Sequence, residues 1–357
     1  MILLGSTGSI GVNTLQIASR FGLSVEALVA GSQIELLNEQ IAQFHPRFVC
    51  VANKEDVPKV NHEKVFYAQE GILEILELCS SNLVVNALVG FVGLAPTIKT
   101  LQLGKKLALA NKESLVVAGH LLDCSKITPI DSEHFGLWYL QNGRAVSKMT
   151  IMASGGALRD TPLDELASQT PTSALQHPNW AMGKKITIDS ATMTNKLFEL
   201  LEARWLFDIQ NLDALIEPRS IMHAMIDFVD GCSCVQLANA DMKLPIAYAL
   251  LREVHEPILP SIDLSKIGTF EFRKIEEARY PIWEIKDSLL QNPHLGVVVN
   301  AANEIAIEKF FAGKINILEL AALSKKAYKF FEDIKPKSLD EIFEIDSEVR
   351  KFTRKSG

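Results

Sequence analysis

The sequence predicts an α/β chain in three parts: a doubly wound parallel sheet, then an α+β catalytic domain with a flexible flap, then a C-terminal helical bundle. Three observations carry this reading. Short apolar runs alternate with amphipathic stretches up to about residue 130, the rhythm of β-α-β units. After Asp131 the strands lengthen and stand among helices. Towards the C-terminus apolar residues recur at i, i+3 and i+4, as on helices with one buried face.

Taken in order, Ile2 to Leu4 reads as a short buried strand, and the turn Gly5-Ser6-Thr7-Gly8-Ser9-Ile10-Gly11 opens a helix through about Phe21. Val25 to Ala30 is a strand, Gln33 to Phe44 a helix and Phe48 to Ala52 a strand. Helix 69–79, strand Leu83 to Asn86, helix 94–103 and strand Leu107 to Ala110 complete the first part. In the second part Ile151 to Ala153, Lys185 to Asp189 and Cys234 to Leu237 are expected as strands, and 194–207 and 212–216 as helices. Pro257, Pro260 and Pro281 interrupt any long element and mark a connector. The expected domains are 1–130, 131–260 and 286–357, with a linker over 261–285.

Composition narrows the function. At 357 residues the chain exceeds one ordinary core, and 48% hydrophobic with 22% charged residues is globular. A net charge of -7 argues against nucleic acid, which needs a basic face to release counterions. Five cysteines at 50, 79, 124, 232 and 234 give neither a C-x-x-C pair nor an even framework, so reduced thiols are expected. The first basic residue is Arg20 and no apolar run reaches membrane-span length, so a cytoplasmic protein without membrane association is expected.

Glycines 5, 8 and 11 lie between a buried strand and a helix, where backbone can approach a pyrophosphate and the helix N-terminus favours its charge. A Rossmann-like dinucleotide site is the expectation. The second strand ends Gly31-Ser32-Gln33 without a carboxylate to hold a ribose 2′-hydroxyl, which favours NADP over NAD. Asn111-Lys112-Glu113 follows a strand at the carboxyl edge of the sheet, where ligands of such folds bind.

Asp131 and Glu133 point the same way if that piece is extended, as a cation-binding pair or as a helix-capping sequence. Glu199, i+4 from Asn195 and beside Lys196, supplies a third carboxylate. Together they form an all-oxygen site for Mg²⁺ or Mn²⁺, with Co²⁺ a further candidate. Ser154 in a Gly-rich turn and Ser190, Asn195 and Lys196 near a helix start offer donors to a phosphate, although Ser190 also suits an N-cap. Between them His177-Pro-Asn-Trp180-Ala-Met182-Gly183 carries large apolar side chains among helix and strand breakers, as a lid does. His223 reads either as a satisfied core histidine or as a group of the pocket.

These motifs, with Asp131-Ser-Glu-His134 and Asn300-Ala-Ala-Asn-Glu304, resemble in the same order those of the 1-deoxy-D-xylulose 5-phosphate reductoisomerase family. The resemblance implies NADPH- and metal-dependent conversion of that phosphorylated ketose to 2-C-methyl-D-erythritol 4-phosphate in non-mevalonate isoprenoid biosynthesis. It further implies a homodimer inhibited by fosmidomycin. Carried over by motif, Thr7, Gly8, Ser9, Ile10, Gly31, Asn111, Glu113 and Gly183 meet NADPH, with Ser32 and Gln33 next to Gly31 expected there too, and Asp131, Glu133 and Glu199 hold the metal. Lys112, Ser132, Ser154, His177, Ser190, Asn195, Lys196 and His223 contact substrate, with Trp180 and Met182 on the closing flap; Lys112 and the three carboxylates are the implied catalytic set. One departure stands out: the family often has Lys or Arg then Asn after the glycine at 31, where this chain has Ser32-Gln33.

Overall fold

A computed structural model describes residues 1–356. In chain order its elements are β1 (Ile2–Leu4), α1 (Ser9–Arg20), β2 (Ala27–Ala30), α2 (Ile34–Phe44), β3 (Phe48–Val51), β4 (Val65–Tyr67), α3 (Ala68–Leu78) and β5 (Leu83–Asn86). There follow α4 (Leu94–Gln102), β6 (Lys106–Leu109), α5 (Lys112–Ala118), β7 (Ile127–Pro129), α6 (Ser132–Leu140), β8 (Val146–Ala153), α7 (Pro171–Ala174) and α8 (Lys184–Thr192). The remainder is α9 (Thr194–Phe207), β9 (Leu212–Ile216), β10 (Met222–Phe228), β11 (Ser233–Leu237), α10 (Lys243–Leu251), α11 (Leu264–Ile267), α12 (Lys286–Gln291), α13 (Gly296–Phe311), α14 (Ile317–Phe330) and α15 (Leu339–Lys355).

The chain divides into two compact units. The first comprises Met1–Ser114, Asp123–Asp131 and Met242–Leu259. Its seven strands form one parallel sheet in the order β4-β3-β2-β1-β5-β6-β7, so the order reverses beside β1. Strands buried on both faces read as continuous apolar runs, and β1, β2 and β3 are buried at every position. Their core recruits Ile246, Ala247 and Ala249, so α10 packs with α1 although it lies far along the chain.

The second unit comprises Leu115–Leu122, Ser132–Asp241 and Pro260–Gly357. Its mixed sheet runs β11-β10-β8-β9, with β8 parallel to β9 and antiparallel to β10. The C-terminal helices α13, α14 and α15 pack on one another, and an apolar cluster joins α8 (Ile188, Ala191) to α13 (Ala306, Ile307, Phe310) and α14 (Ile317, Leu320).

Three sequence expectations are corrected here. Lys185 to Asp189 is helical, within α8, because Thr187, Ile188, Ala191 and Thr192 are buried at helical spacing even though Ile186 and Ile188 also fit a strand period. Residues 212–216 form strand β9: Leu212, Ala214 and Ile216 are buried alternately and pair with β8, so the inward side chains follow a period of two. Ser132 and Glu133 likewise begin α6 and are not extended. Among the described residues no helix is long and apolar enough to cross a membrane.

Candidate active site

In the first unit, β1 runs into a turn that only glycine can make at position 5. Gly5 has φ +87°, and a Cβ there would lie 2.5 Å from the Ala87 carbonyl oxygen. The turn delivers the chain to α1, whose N-cap Gly8 and following Ser9 are exposed and carry no side-chain cap. The first-turn N–H groups of α1 therefore face outward beside the point where the strand order reverses. Ser6 and Thr7 are buried, and Ile10 is half-buried.

Gly31, Ser32 and Gln33 are exposed at the carboxyl end of β2, and the Gln33 amide donates to the Thr7 carbonyl at 3.3 Å. Asn111 is buried and its amide donates to the carbonyls of Leu88 and Gly90, at 2.9 Å each, and to Glu113 at 3.1 Å. Asn111 thus ties together the loops that follow β5 and β6. Lys112, also buried, lies 3.4 Å from Asp131.

Asp131 lies two residues before Glu133, so the chain itself holds the two carboxylates near each other. Glu133 sits in the first turn of α6 and Glu199 in the second turn of α9. One oxygen from each of Asp131, Glu133 and Glu199 lies within 4.8 Å of the others. Among the described residues no other group of three His, Cys, Asp or Glu side chains is so arranged. Lys196 approaches Glu199 at 2.6 Å and Glu133 at 3.6 Å, and the Asn195 amide donates to Glu199 at 2.5 Å. The Ser132 hydroxyl donates to Glu133 at 2.8 Å, and His223 Nδ1 lies 3.6 Å from the same carboxylate. Glu199 is 1% exposed. Three carboxylates with two ammonium groups keep a negative excess in a buried place, and hard oxygen donors of this kind suit Mg²⁺.

Lys196 and Glu199 reach this place because α8 and α9 are not one helix. Met193, at φ +69°, breaks the run, and α9 restarts with Asn195, Lys196 and Glu199 on its first two turns. Beside the break lies the turn Ser154-Gly155-Gly156. Gly156 has φ +71°, and a Cβ there would fall 2.6 Å from the Ser190 carbonyl oxygen, so only glycine lets this turn touch α8. The turn that carries Ser154 thereby sits against the backbone at Ser190.

The flap is fastened to the same turn. His177 Nδ1 accepts from the backbone N–H groups of Asn179 at 3.2 Å and Trp180 at 3.0 Å. Its Nε2 must then carry the proton, and it donates to Ser154 Oγ at 2.8 Å. Gly156 N–H donates to the same oxygen at 3.0 Å. With both acceptor positions of Ser154 filled, its own O–H remains to donate outward. Burial, then the positive charges of Arg159 and Lys196, push the His177 pKa down to about 4, which keeps the ring neutral. The Trp180 ring meets His223 edge-on at 6.1 Å, Met182 is half-buried, and Gly183 is the exposed N-cap of α8.

Sequence reasoning missed several supporting groups. Arg159 donates to the carbonyls of Ser154 and Pro218, and Tyr280 to that of Gly155 at 2.8 Å. Asn179 donates to the Pro218 carbonyl and the Ser220 hydroxyl. His134 holds the Glu199 carbonyl at 2.9 Å. No local pattern marks Arg159 or Tyr280, since both act on backbone carbonyls brought near only by folding.

Comparison with known proteins gives the family. Residues 1–119 match the family model described as 1-deoxy-D-xylulose 5-phosphate reductoisomerase, 127–207 its C-terminal domain, and 237–352 the model described as DXP reductoisomerase C-terminal domain. The reductoisomerase of Nautilia profundicola is 53% identical over 99% of this chain and 98% of its own length. That of Wolinella succinogenes is 51% identical over 99% of this chain and 100% of its own. A crystal structure of DOX-P reductoisomerase in complex with NADPH, fosmidomycin and magnesium superposes with a TM-score of 0.93 at 31% identity, covering 99% of this chain and 97% of that one. The enzyme from Zymomonas mobilis in complex with NADPH gives 0.88 at 31%, over the same shares of the two chains.

Proposed function

This chain belongs to the 1-deoxy-D-xylulose 5-phosphate reductoisomerase family, and on that premise we propose which of its residues carry the reaction. The protein is an NADPH- and Mg²⁺-dependent reductoisomerase that converts 1-deoxy-D-xylulose 5-phosphate to 2-C-methyl-D-erythritol 4-phosphate, a step of isoprenoid precursor synthesis. When bound, the cation polarises the substrate's carbonyl and neighbouring hydroxyl oxygens, and NADPH supplies the hydride that reduces the rearranged aldehyde.

Asp131, Glu133 and Glu199 are the metal ligands in this reading, and their convergence is the observation that carries it. Lys112 and Lys196 offset the carboxylate charge and hold positive potential where negative charge grows on the reacting oxygens. Ser132 and His223 orient Glu133, and Asn195 orients Glu199. Ser154, Ser190, Asn195 and Lys196 take the substrate phosphate, with the Ser154 proton aimed outward by its two donors. His177 links that serine to the flap, so phosphate binding and ordering of Trp180 and Met182 reinforce each other and exclude water. Binding energy from the unreactive phosphate is thereby spent on orienting the carbons that react.

NADPH binds the first unit, with its pyrophosphate at the N-terminus of α1 against Thr7, Gly8, Ser9 and Ile10, and its adenosine side at Gly31, Ser32 and Gln33. Asn111 shapes the carboxyl edge of the sheet there, with Glu113 beside it, and Gly183, the N-cap of α8, is the further residue assigned to the cofactor. Fosmidomycin occupies the substrate place. Residues 286–357 form the C-terminal helical domain that backs the phosphate cradle.

The protein works in the cytoplasm as a homodimer. Trp138 and Tyr139 on α6 are 45% and 55% exposed, and Val235 on edge strand β11 is 41% exposed, an apolar surface that a second copy would cover. Oxidation of NADPH on adding 1-deoxy-D-xylulose 5-phosphate tests the assignment. It is expected with Mg²⁺ and is lost on chelation; activity that survives exhaustive chelation would overturn the carboxylate site and favour a metal-free dehydrogenase.

A further inference from the structure

The motif Asn300-Ala-Ala-Asn303-Glu304 has no place in the chemistry above, yet both of its asparagines are fully buried on α13. We propose that Asn303 is a positioning residue that sets the register of α8 and so places the Ser190 hydroxyl for the substrate phosphate; this rests on the phosphate reading just given.

Helix α8 begins where the flap ends and carries Ser190 on its last turn. Its side chain at 189 turns inward: Asp189 is a carboxylate only 1% exposed. A buried carboxylate must be paired and hydrogen-bonded, and two of the partners of Asp189 differ in kind. Lys185 Nζ reaches Asp189 Oδ2 at 2.8 Å, but both residues belong to α8, so that pair cannot fix the helix against anything else. The Asn303 amide donates to Asp189 Oδ1 at 2.7 Å from a separate helix. It is a directional tie between α8 and α13.

Apolar contacts also join these helices: Ile188 and Ala191 pack in one cluster with Ala306, Ile307 and Phe310. Such contacts favour burial without choosing one rotation or sliding position, whereas a charge-assisted hydrogen bond does choose. Asn303 Oδ1 has no hydrogen-bond partner among the described residues, so what the amide supplies here is the donor to Asp189. The amide is therefore explained by its bond to Asp189 rather than by filling space. Register matters because the next residue is Ser190, whose carbonyl leaves no room for a Cβ at Gly156. A small slide of α8 would move Ser190 relative to the turn that carries Ser154.

The test is a double-mutant cycle on the full-length enzyme with Mg²⁺ and NADPH, using Asn303→Ala, Ser190→Ala and both together. Steady-state KM and kcat are measured for 1-deoxy-D-xylulose 5-phosphate, and NADPH affinity by fluorescence titration. Asn303→Ala is expected to raise the substrate KM about tenfold, the loss of one hydrogen bond to a charged group. Its kcat should change far less, and its NADPH affinity should not move. Adding Asn303→Ala to Ser190→Ala should then cost little more, because the positioned hydroxyl is already gone. Asn303→Ser, which keeps a donor one bond short of the amide nitrogen, should recover part of the loss, and it takes the place of Asn303→Ala in the cycle if the alanine variant does not fold. Single effects that multiply in the double variant, or a folded Asn303→Ala enzyme with wild-type KM, would overturn the proposal. If Ser190→Ala alone leaves KM unchanged, the phosphate reading fails and the proposal falls with it.

Discussion

Replacing Gly156 by alanine tests whether the contact between the Ser154 turn and α8 builds the phosphate cradle. Two separable costs follow from the structure. The backbone at 156 has φ +71°, where an L-residue loses about 1–2 kcal/mol relative to glycine. The added Cβ also meets backbone 2.6 Å away at the Ser190 oxygen and 2.7 Å away at Ala191 Cα, and forced overpacking of that kind costs about 1–3 kcal/mol. Neither atom can yield alone, because both belong to the frame of α8, so the turn must withdraw and take Ser154 with it. Gly143 supplies the control: its φ is +80° and nothing lies within 4 Å of a Cβ there, so Gly143→Ala bears the conformational cost alone. Parallel denaturation and steady-state kinetics of the two variants are the assay. Gly156→Ala should be the less stable and should lose about 10–100-fold in kcat/KM, as a misplacement near 1 Å produces. Gly143→Ala should keep wild-type kinetics. Equal stability of the two variants with unchanged kcat/KM in both would refute the reasoning.

Glu199→Gln should lower turnover by more than about 100-fold and weaken Mg²⁺ binding while leaving NADPH affinity intact, as checked by metal titration and cofactor fluorescence; near-normal turnover would end its assignment as a ligand. For His177, whose folded pKa lies near 4 and below its ordinary value of 6.5, the unfolded chain binds the extra proton first as the pH falls. Its contribution to stability is thus complete above about pH 6.5 and drains away towards pH 4. The unliganded enzyme should show the ring neutral by NMR at pH 6, and His177→Gln should flatten that part of the stability profile; a charged ring at pH 6 would contradict the tautomer inferred from Asn179 and Trp180.

Much of this architecture was legible because local chemistry and global fold agree. Apolar runs such as Ile2 to Leu4 and Phe48 to Val51 are buried on both faces, and the glycines at 5, 8 and 11 sit where a strand must turn into a helix against the Ala87 backbone. The carboxylate set was legible too, since three acids among lysines and an asparagine make poor core and need a partner. Where periodicity is ambiguous the sequence misled. Lys185 to Asp189 fits a strand in its Ile186 and Ile188 and a helix in its Thr187, Ile188 and Ala191, and packing against α13 and α14 selects the helix. Leu212 to Ile216 shows Leu212, Leu215 and Ile216 at helical spacing, yet pairing with β8 makes it a strand.

The sequence by itself determined which chemical groups are present and how neighbours in the chain are placed: the uncapped α1 terminus after a glycine turn, Glu133 two residues from Asp131, and Asn195, Lys196 and Glu199 on one helix start. Tertiary structure decided what distance in sequence conceals. It returned Met242–Leu259 to the first sheet, brought Glu199 to Glu133, and set Arg159, Tyr280 and Asn303 behind the groups they hold. The reason is physical. Local preference is written in backbone sterics and short-range hydrogen bonds, whereas a carboxylate on one helix finds its partner on another only after apolar burial has chosen which helices pack.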